Sequence, residues 1–170
     1  MGQTLPKPAL RPFLPADVPM LAAIFTAAIE ELTGDDYSRD QQEAWASVAE
    51  DEEAFGQKLA GELTLIATLR AAPVGFASLR GKDQIDMLYV HPGAAGKGVA
   101  SALCDALERL AGGRGAKSLT VDASDNAEGF FAKRGYVGKQ RNTVTVNGEW
   151  LANTTMQKTL GDVPAPGGPT

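Results

Sequence analysis

Apolar positions along this chain switch repeatedly between helical and strand spacing, and the switches mark out its elements. From Pro15-Ala16-Asp17, which reads as a helix start, Met20, Leu21, Ile24, Phe25, Ala28, Ile29 and Leu32 form a stripe of period 3.6, ended by Thr33-Gly34-Asp35-Asp36. Ser38, with Gln41 three residues later, predicts a capping box that opens a short helix carrying Trp45 and Val48. Residues 51–60 predict a further turn or two of helix, with Phe55 and Leu59 inward. Past Gly61 the pattern turns strand-like over 63–69 and 74–79, joined through Arg70-Ala71-Ala72-Pro73 as a hairpin. Residues 9–13, hemmed in by prolines, predict a short edge strand. Strands are also predicted over 118–123, 142–146 and 150–158, the last two joined by Asn147-Gly148, a strong type I′ signal. Between them NAEGFFAKRG predicts a third long-spaced helix with Gly135 as its C′ residue.

Residues 85–110, IDMLYVHPGAAGKGVASALCDALERL, organise the rest. The β-branched and aromatic run 85–90 is stopped by His91-Pro92-Gly93, and a small, flexible run leads to Gly98. Val99, Leu103, Ala106, Leu107 and Leu110 then line one face of a helix. A strand, a glycine turn and a helix N-terminus make a corner of an αβ fold or a cradle for an anion. Free first-turn N–H groups and the positive end of the helix dipole favour negative charge there. Neither GxxxxGK[ST] nor GxGxxG followed by an acid about 20 residues on is present, which excludes the P-loop and dinucleotide fingerprints.

Composition narrows the picture. The 170 residues, 44% hydrophobic, fit one domain over 9–160, with a flexible arm over 1–8 and a disordered tail over 161–170. One cysteine, Cys104, forbids an internal disulfide and reads as a small buried residue, and one histidine makes a transition-metal site improbable. No apolar run reaches about 18 residues, and the proline-broken N-terminus lacks a signal-peptide core, so a cytoplasmic protein without membrane segments is expected. Pro6 falls where a myristoylation signal needs Ser or Thr. A net charge of −5 argues against nucleic acid as a partner and mildly attracts cationic amines.

Gly96-x-Gly98-x-Ala100, behind a strand ending Leu88-Tyr89-Val90-His91-Pro92, resembles motif A of the GNAT acyltransferase superfamily. That motif reads Gln/Arg-x-x-Gly-x-Gly/Ala and holds the pyrophosphate of acetyl-CoA. Gly98 and Ala100 match its last two fixed positions. Ala95 replaces its first, with Lys97 inside the turn as an alternative charge. The resemblance implies a cradle from Ala95, Gly96, Lys97, Gly98, Val99, Ala100 and Ser101, and a pantetheine arm bonded to main chain of Leu88, Tyr89 and Val90 beyond a bulge. Asn126-Ala127-x-x-Phe130-Phe131-x-x-Arg134-Gly135-Tyr136 is similar to motif B, whose Asn touches pantetheine and whose Tyr protonates the departing thiolate. Here Phe131 holds the Tyr position. DYSRDQQEAWA, FFAKRGY and NTVTVNGEWLANTTMQK are similar to a loosely characterised bacterial GNAT subfamily of small-molecule or unknown substrate. The element order matches GNAT topology, implying an α+β (mixed α/β) fold: a six- to seven-stranded mixed, splayed sheet with about four helices.

The resemblance implies an N-acyltransferase, with acetyl-CoA as donor, a small-molecule amine as acceptor, direct transfer in a ternary complex, no metal, and a monomer or homodimer. A free alkylamine is neutral in roughly one molecule in two thousand at pH 7, so a carboxylate base helps. One common seat of that base falls on Gln84; Asp86, on the same face by strand period, is the candidate, with a plain strand-end acid as its other reading. Tyr89 and Tyr136 are the candidate acids in place of Phe131, and Ser124 is a further polar candidate. Tyr37 and Trp45 are candidates for an aromatic acceptor wall. Phe131 and Ala95 also motivate an alternative, a non-catalytic acyl-CoA-binding or sensing module.

Overall fold

A computed structural model describes residues 7–161. The expected arm and tail fall outside the described residues, apart from Lys7, Pro8 and Gly161. The chain folds as β1 (Ala9–Pro12), α1 (Val18–Leu32), α2 (Arg39–Ala46), α3 (Glu52–Gly61), β2 (Leu63–Leu69), β3 (Ala72–Arg80), β4 (Gln84–Val90), α4 (Val99–Gly113), β5 (Ser118–Ser124), α5 (Glu128–Lys133), β6 (Val137–Val146) and β7 (Glu149–Thr159). The strands form one seven-stranded sheet in the order β1-β2-β3-β4-β5-β7-β6. Only β4 and β5 run parallel.

Each face of the sheet is covered by what its alternating residues demand. On one side Leu21, Ile24, Phe25 and Ile29 of α1, with Phe55 and Leu59 of α3, pack on Ile66, Phe76 and Met87. On the other, Val99, Leu103, Cys104, Leu107 and Ala111 of α4 and Phe131 of α5 pack on Ala67, Ala77, Leu79 and Leu119. Cys104 is fully buried, and burial pushes its thiol up to about 12. It is a core residue, as expected. No helix among the described residues is long and apolar enough to cross a membrane.

Local signals were mostly realised. Ser38 Oγ accepts from Gln41 N–H at 3.2 Å while Gln41 Oε1 accepts from Ser38 N–H at 2.8 Å, a complete capping box. Gly135, at φ 95°, closes α5: its N–H donates to Ala132, and Tyr136 N–H donates to Phe131, a Schellman pair. Asn147 and Gly148 both have positive φ, as a type I′ hairpin needs.

Two boundaries differ from expectation. The β2–β3 loop is two residues, Arg70-Ala71, both held at positive φ, rather than the four residues 70–73. The twist of the paired strands forces that turn on residues that do not favour it. β6 begins at Val137, five residues before the expected Asn142. Its first half is exposed and charged, so nothing in its pattern marks a strand; pairing with β7 makes it one.

Candidate active site

The site begins with an interruption. Met87 pairs with Ser78 and Ile85 with Leu79, so Asp86 is an extra residue on β4, a β-bulge. The bulge resets the strand's phase. Ile85 packs towards α4 while Met87, two residues on, packs towards α1. It stands where the expected bulge belongs, just before Leu88.

β4 and β5 pair only at Gln84–Thr120 and Ile85–Val121. Beyond those two pairs they part, and β5 remains bonded along its length to β7 instead. The edge of β4 from Asp86 to Val90 therefore presents backbone polar groups to a gap rather than to a strand. A cavity of about 130 Å³ occupies this gap. Leu88, Tyr89 and Val90 of β4 and Asp122 and Ser124 of β5 line it, together with Asn126 and Phe131. Ile29, Leu32 and Trp45 bring α1 and α2 over the top.

The glycine turn lies just past the end of β4. Gly96 and Gly98 sit at φ 76° and 80°, a conformation that favours glycine. Gly98 is the N-cap of α4 and contributes no side chain to satisfy the first-turn N–H groups. Val99 is buried against the sheet, so close that a Cβ on Gly75 would come within 3.0 Å of both Val99 Cγ1 and the Tyr89 carbonyl oxygen. This contact ties the helix N-terminus to the edge strand of the gap. Ala95, Gly96 and Lys97 are exposed, Ala100 and Ser101 half-buried, and Lys7 and Lys97 border the hollow beside Ser101.

The aromatic candidates divide. Trp45 Nε1–H donates to the Tyr89 hydroxyl at 3.2 Å, orienting it, and both residues line the cavity. Burial pushes the Tyr89 phenol well above its ordinary range, so it stays protonated. Tyr37 stands behind Trp45, ring centroids 5.3 Å apart. Its hydroxyl donates to the Ala152 carbonyl at 2.6 Å and accepts from Asp125 N–H at 2.9 Å, so it braces the wall. Tyr136 lies apart from the cavity and donates to Glu108 Oε2 at 3.0 Å beneath α4. Ser124 Oγ donates to Asn126 Oδ1 at 2.7 Å, fixing the start of the α5 segment.

The carboxylates divide as well. Asp86 lines the cavity but is engaged by Arg80 and by Lys58 Nζ at 3.0 Å. Glu62 completes this cluster; burial holds its carboxyl above the usual range against the lowering bond from Ser78 Oγ, and the neighbouring Asp86 adds to the rise. Asp122 was not singled out by the sequence. It accepts from Thr155 Oγ1 at 2.6 Å, and Thr155 in turn accepts from Asn142 Nδ2 at 2.7 Å. The only signal for it is its place one residue past Val121, which acquires meaning once the β4–β5 register is known.

Residues 33–160 match the family model described as acetyltransferase (GNAT) domain. The chain is 37% identical to the uncharacterized N-acetyltransferase YafP of Escherichia coli (strain K12) over 148 residues, 87% of this chain and 93% of that one. Its structure superposes with a TM-score of 0.91 on the crystal structure of a GCN5-related N-acetyltransferase (aminotransferase, class II) from Rhodopseudomonas palustris. That protein is 67% identical, with 94% of this chain and 100% of that chain covered. The PaiA N-acetyltransferase of Thermoplasma acidophilum, crystallised with coenzyme A, shares the fold at TM-score 0.74 and 17% identity, covering 90% of this chain and 99% of its own.

Proposed function

Because the chain belongs to the GNAT acetyltransferase family, we propose that this N-acetyltransferase moves the acetyl group of acetyl-CoA directly onto the amine of a compact small molecule, both held in the β4–β5 gap. The observation that carries this reading is the parting of β4 and β5 after only two residue pairs, near an uncapped helix N-terminus. In this reading, N–H groups from Gly96 to Ser101 hold the pyrophosphate, with Lys97 supplying the charge that Ala95 lacks. Main-chain groups of Leu88, Tyr89 and Val90 hold the pantetheine arm, and Asn126 and Phe131 border it. The amine enters under Trp45, which Tyr37 braces.

Attack of the neutral amine on the thioester carbonyl places charge on oxygen, and collapse expels the CoA thiolate. Phe131 has no proton to give. Tyr89 does: its oxygen is already fixed by Trp45, which leaves its own O–H to donate into the gap. Because a thiolate with a pKa near 8.5 leaves adequately unaided, the help expected from Tyr89 is modest. Tyr89→Phe is expected to lower kcat by about tenfold to thirtyfold with little change in CoA affinity. The check is steady-state release of CoA thiol with acetyl-CoA and a panel of primary amines. Tight CoA binding without turnover of any amine would favour the non-catalytic sensing module, and an unchanged kcat in Tyr89→Phe would remove Tyr89 from the chemistry.

A further inference from the structure

Resting on that reading, we propose that Asp122 receives the acceptor's ammonium and takes its proton, and that the acceptors are alkylamines bearing an apolar group. Asp86 and Asp122 hold equivalent places, each the first residue past the last paired rung, Ile85–Val121. Both line the cavity. They differ in what faces them.

Asp86 meets two cations, Arg80 from β3 and Lys58 from α3, beside the Glu62 carboxyl. Its charge is answered before any ligand arrives. Asp122 meets only neutral donors: Thr155 Oγ1 at 2.6 Å, itself held by Asn142 Nδ2. Among the described residues no ion pair reaches it. The other titratable groups lining the gap are Asp86 and Tyr89, and α1 and α2 contribute none. One carboxylate, at the solvent-exposed mouth of the gap, thus has no ion-pair partner among the described residues and is held by a two-step hydrogen-bond chain through β7 and β6.

The surroundings define what would answer it. Ile29, Leu32, Trp45 and Tyr89 form an apolar and aromatic wall, and an ammonium group beside such rings gains cation–π attraction. The gap opens to solvent at Asp122 and Asn126, so the acceptor's apolar group lies along this wall while its ammonium meets Asp122 at the mouth. In the transfer, Asp122 takes one ammonium proton, and the freed lone pair forms the C–N bond. The C–S bond breaks with its electrons on sulfur, which gains the Tyr89 proton. The nitrogen's remaining surplus proton returns through water to Tyr89, and Asp122 releases its own to solvent. Ammonium and acetyl-CoA thereby give amide, CoA thiol and one proton.

The test uses a matched pair of acceptors on the full chain: benzylamine, charged at pH 7, and aniline, neutral there. Asp122→Asn keeps the acceptor oxygen for Thr155 but cannot hold a proton. It is expected to lower kcat/KM for benzylamine about a hundredfold, while aniline turnover, which needs no prior deprotonation, stays within about threefold. The variant's benzylamine rate should then climb about tenfold per pH unit towards the amine's own pKa, where the wild-type rate is flat around neutrality. Retention of both rates, loss of both in equal measure at an unchanged melting temperature, or wild-type turnover of aniline alone would each overturn the assignment. Failure of the wild-type protein to release thiol with any amine defeats the parent reading itself, and is distinguishable because no variant is needed to see it.

Discussion

Gly98→Val should reduce affinity for CoA by about a thousandfold while leaving the protein folded. Gly98 sits at φ +80°, and an added Cβ meets nothing within 4 Å, so the interior offers no objection to bulk. The objection is conformational: a β-branched residue in the left-handed region is strained, by about 1–2 kcal/mol or somewhat more. The chain relieves it by rotating the peptides that aim the first-turn N–H groups. The new methyls also occupy the space in front of them, where a diphosphate must come close. Losing two charge-assisted hydrogen bonds at about 2 kcal/mol each corresponds to about three orders of magnitude in Kd. Titration calorimetry with CoA reads the result directly. A Kd within tenfold of wild type would mean that the pyrophosphate lies elsewhere.

The largest effect on stability is expected at Phe76. It is fully buried on β3, pairs in register with Tyr89, and stacks on that ring with centroids 5.7 Å apart. Phe55 of α3 meets it edge-on at 6.2 Å. Phe76→Ala removes the piece that joins helix, sheet and candidate acid. A loss of about 4 kcal/mol is expected, which for a domain of this size lowers the melting temperature by about 8–16 °C. Urea titration gives the free energy independently. A loss below about 1 kcal/mol would show that the aromatic layer collapses to fill the void.

How much of this was legible beforehand follows from the range of each interaction. The capping box at Ser38 and Gln41, the Asn147-Gly148 turn and the Gly135 stop are decided within a few residues, and the sequence displays them whole. The order of helices and strands is legible for the same reason. β6 was half-read because residues 137–141 become a strand only through their partner on β7. The site is harder, since its chemistry is set at long range. Asp86 reads as a usable base until folding brings Lys58 and Arg80 against it. Tyr37 reads as a pocket wall until the carbonyl of Ala152, 115 residues away, accepts its hydroxyl's hydrogen bond. Tyr136 reads as an acid until its hydroxyl is found donating to Glu108, away from the cavity. Asp122 is silent in the sequence because only the register with β4 gives it a role.

The burial of the chain's one cysteine has a practical side. With Cys104 on the sheet-facing side of α4, fully buried, and its thiol pushed up to about 12, the folded molecule is expected to resist alkylating labels. Each label that does attach records a moment when α4 has left the sheet. The mass of a single adduct therefore becomes a clock for opening of the whole domain, readable in crude mixtures and sensitive to anything that clamps the helix in place.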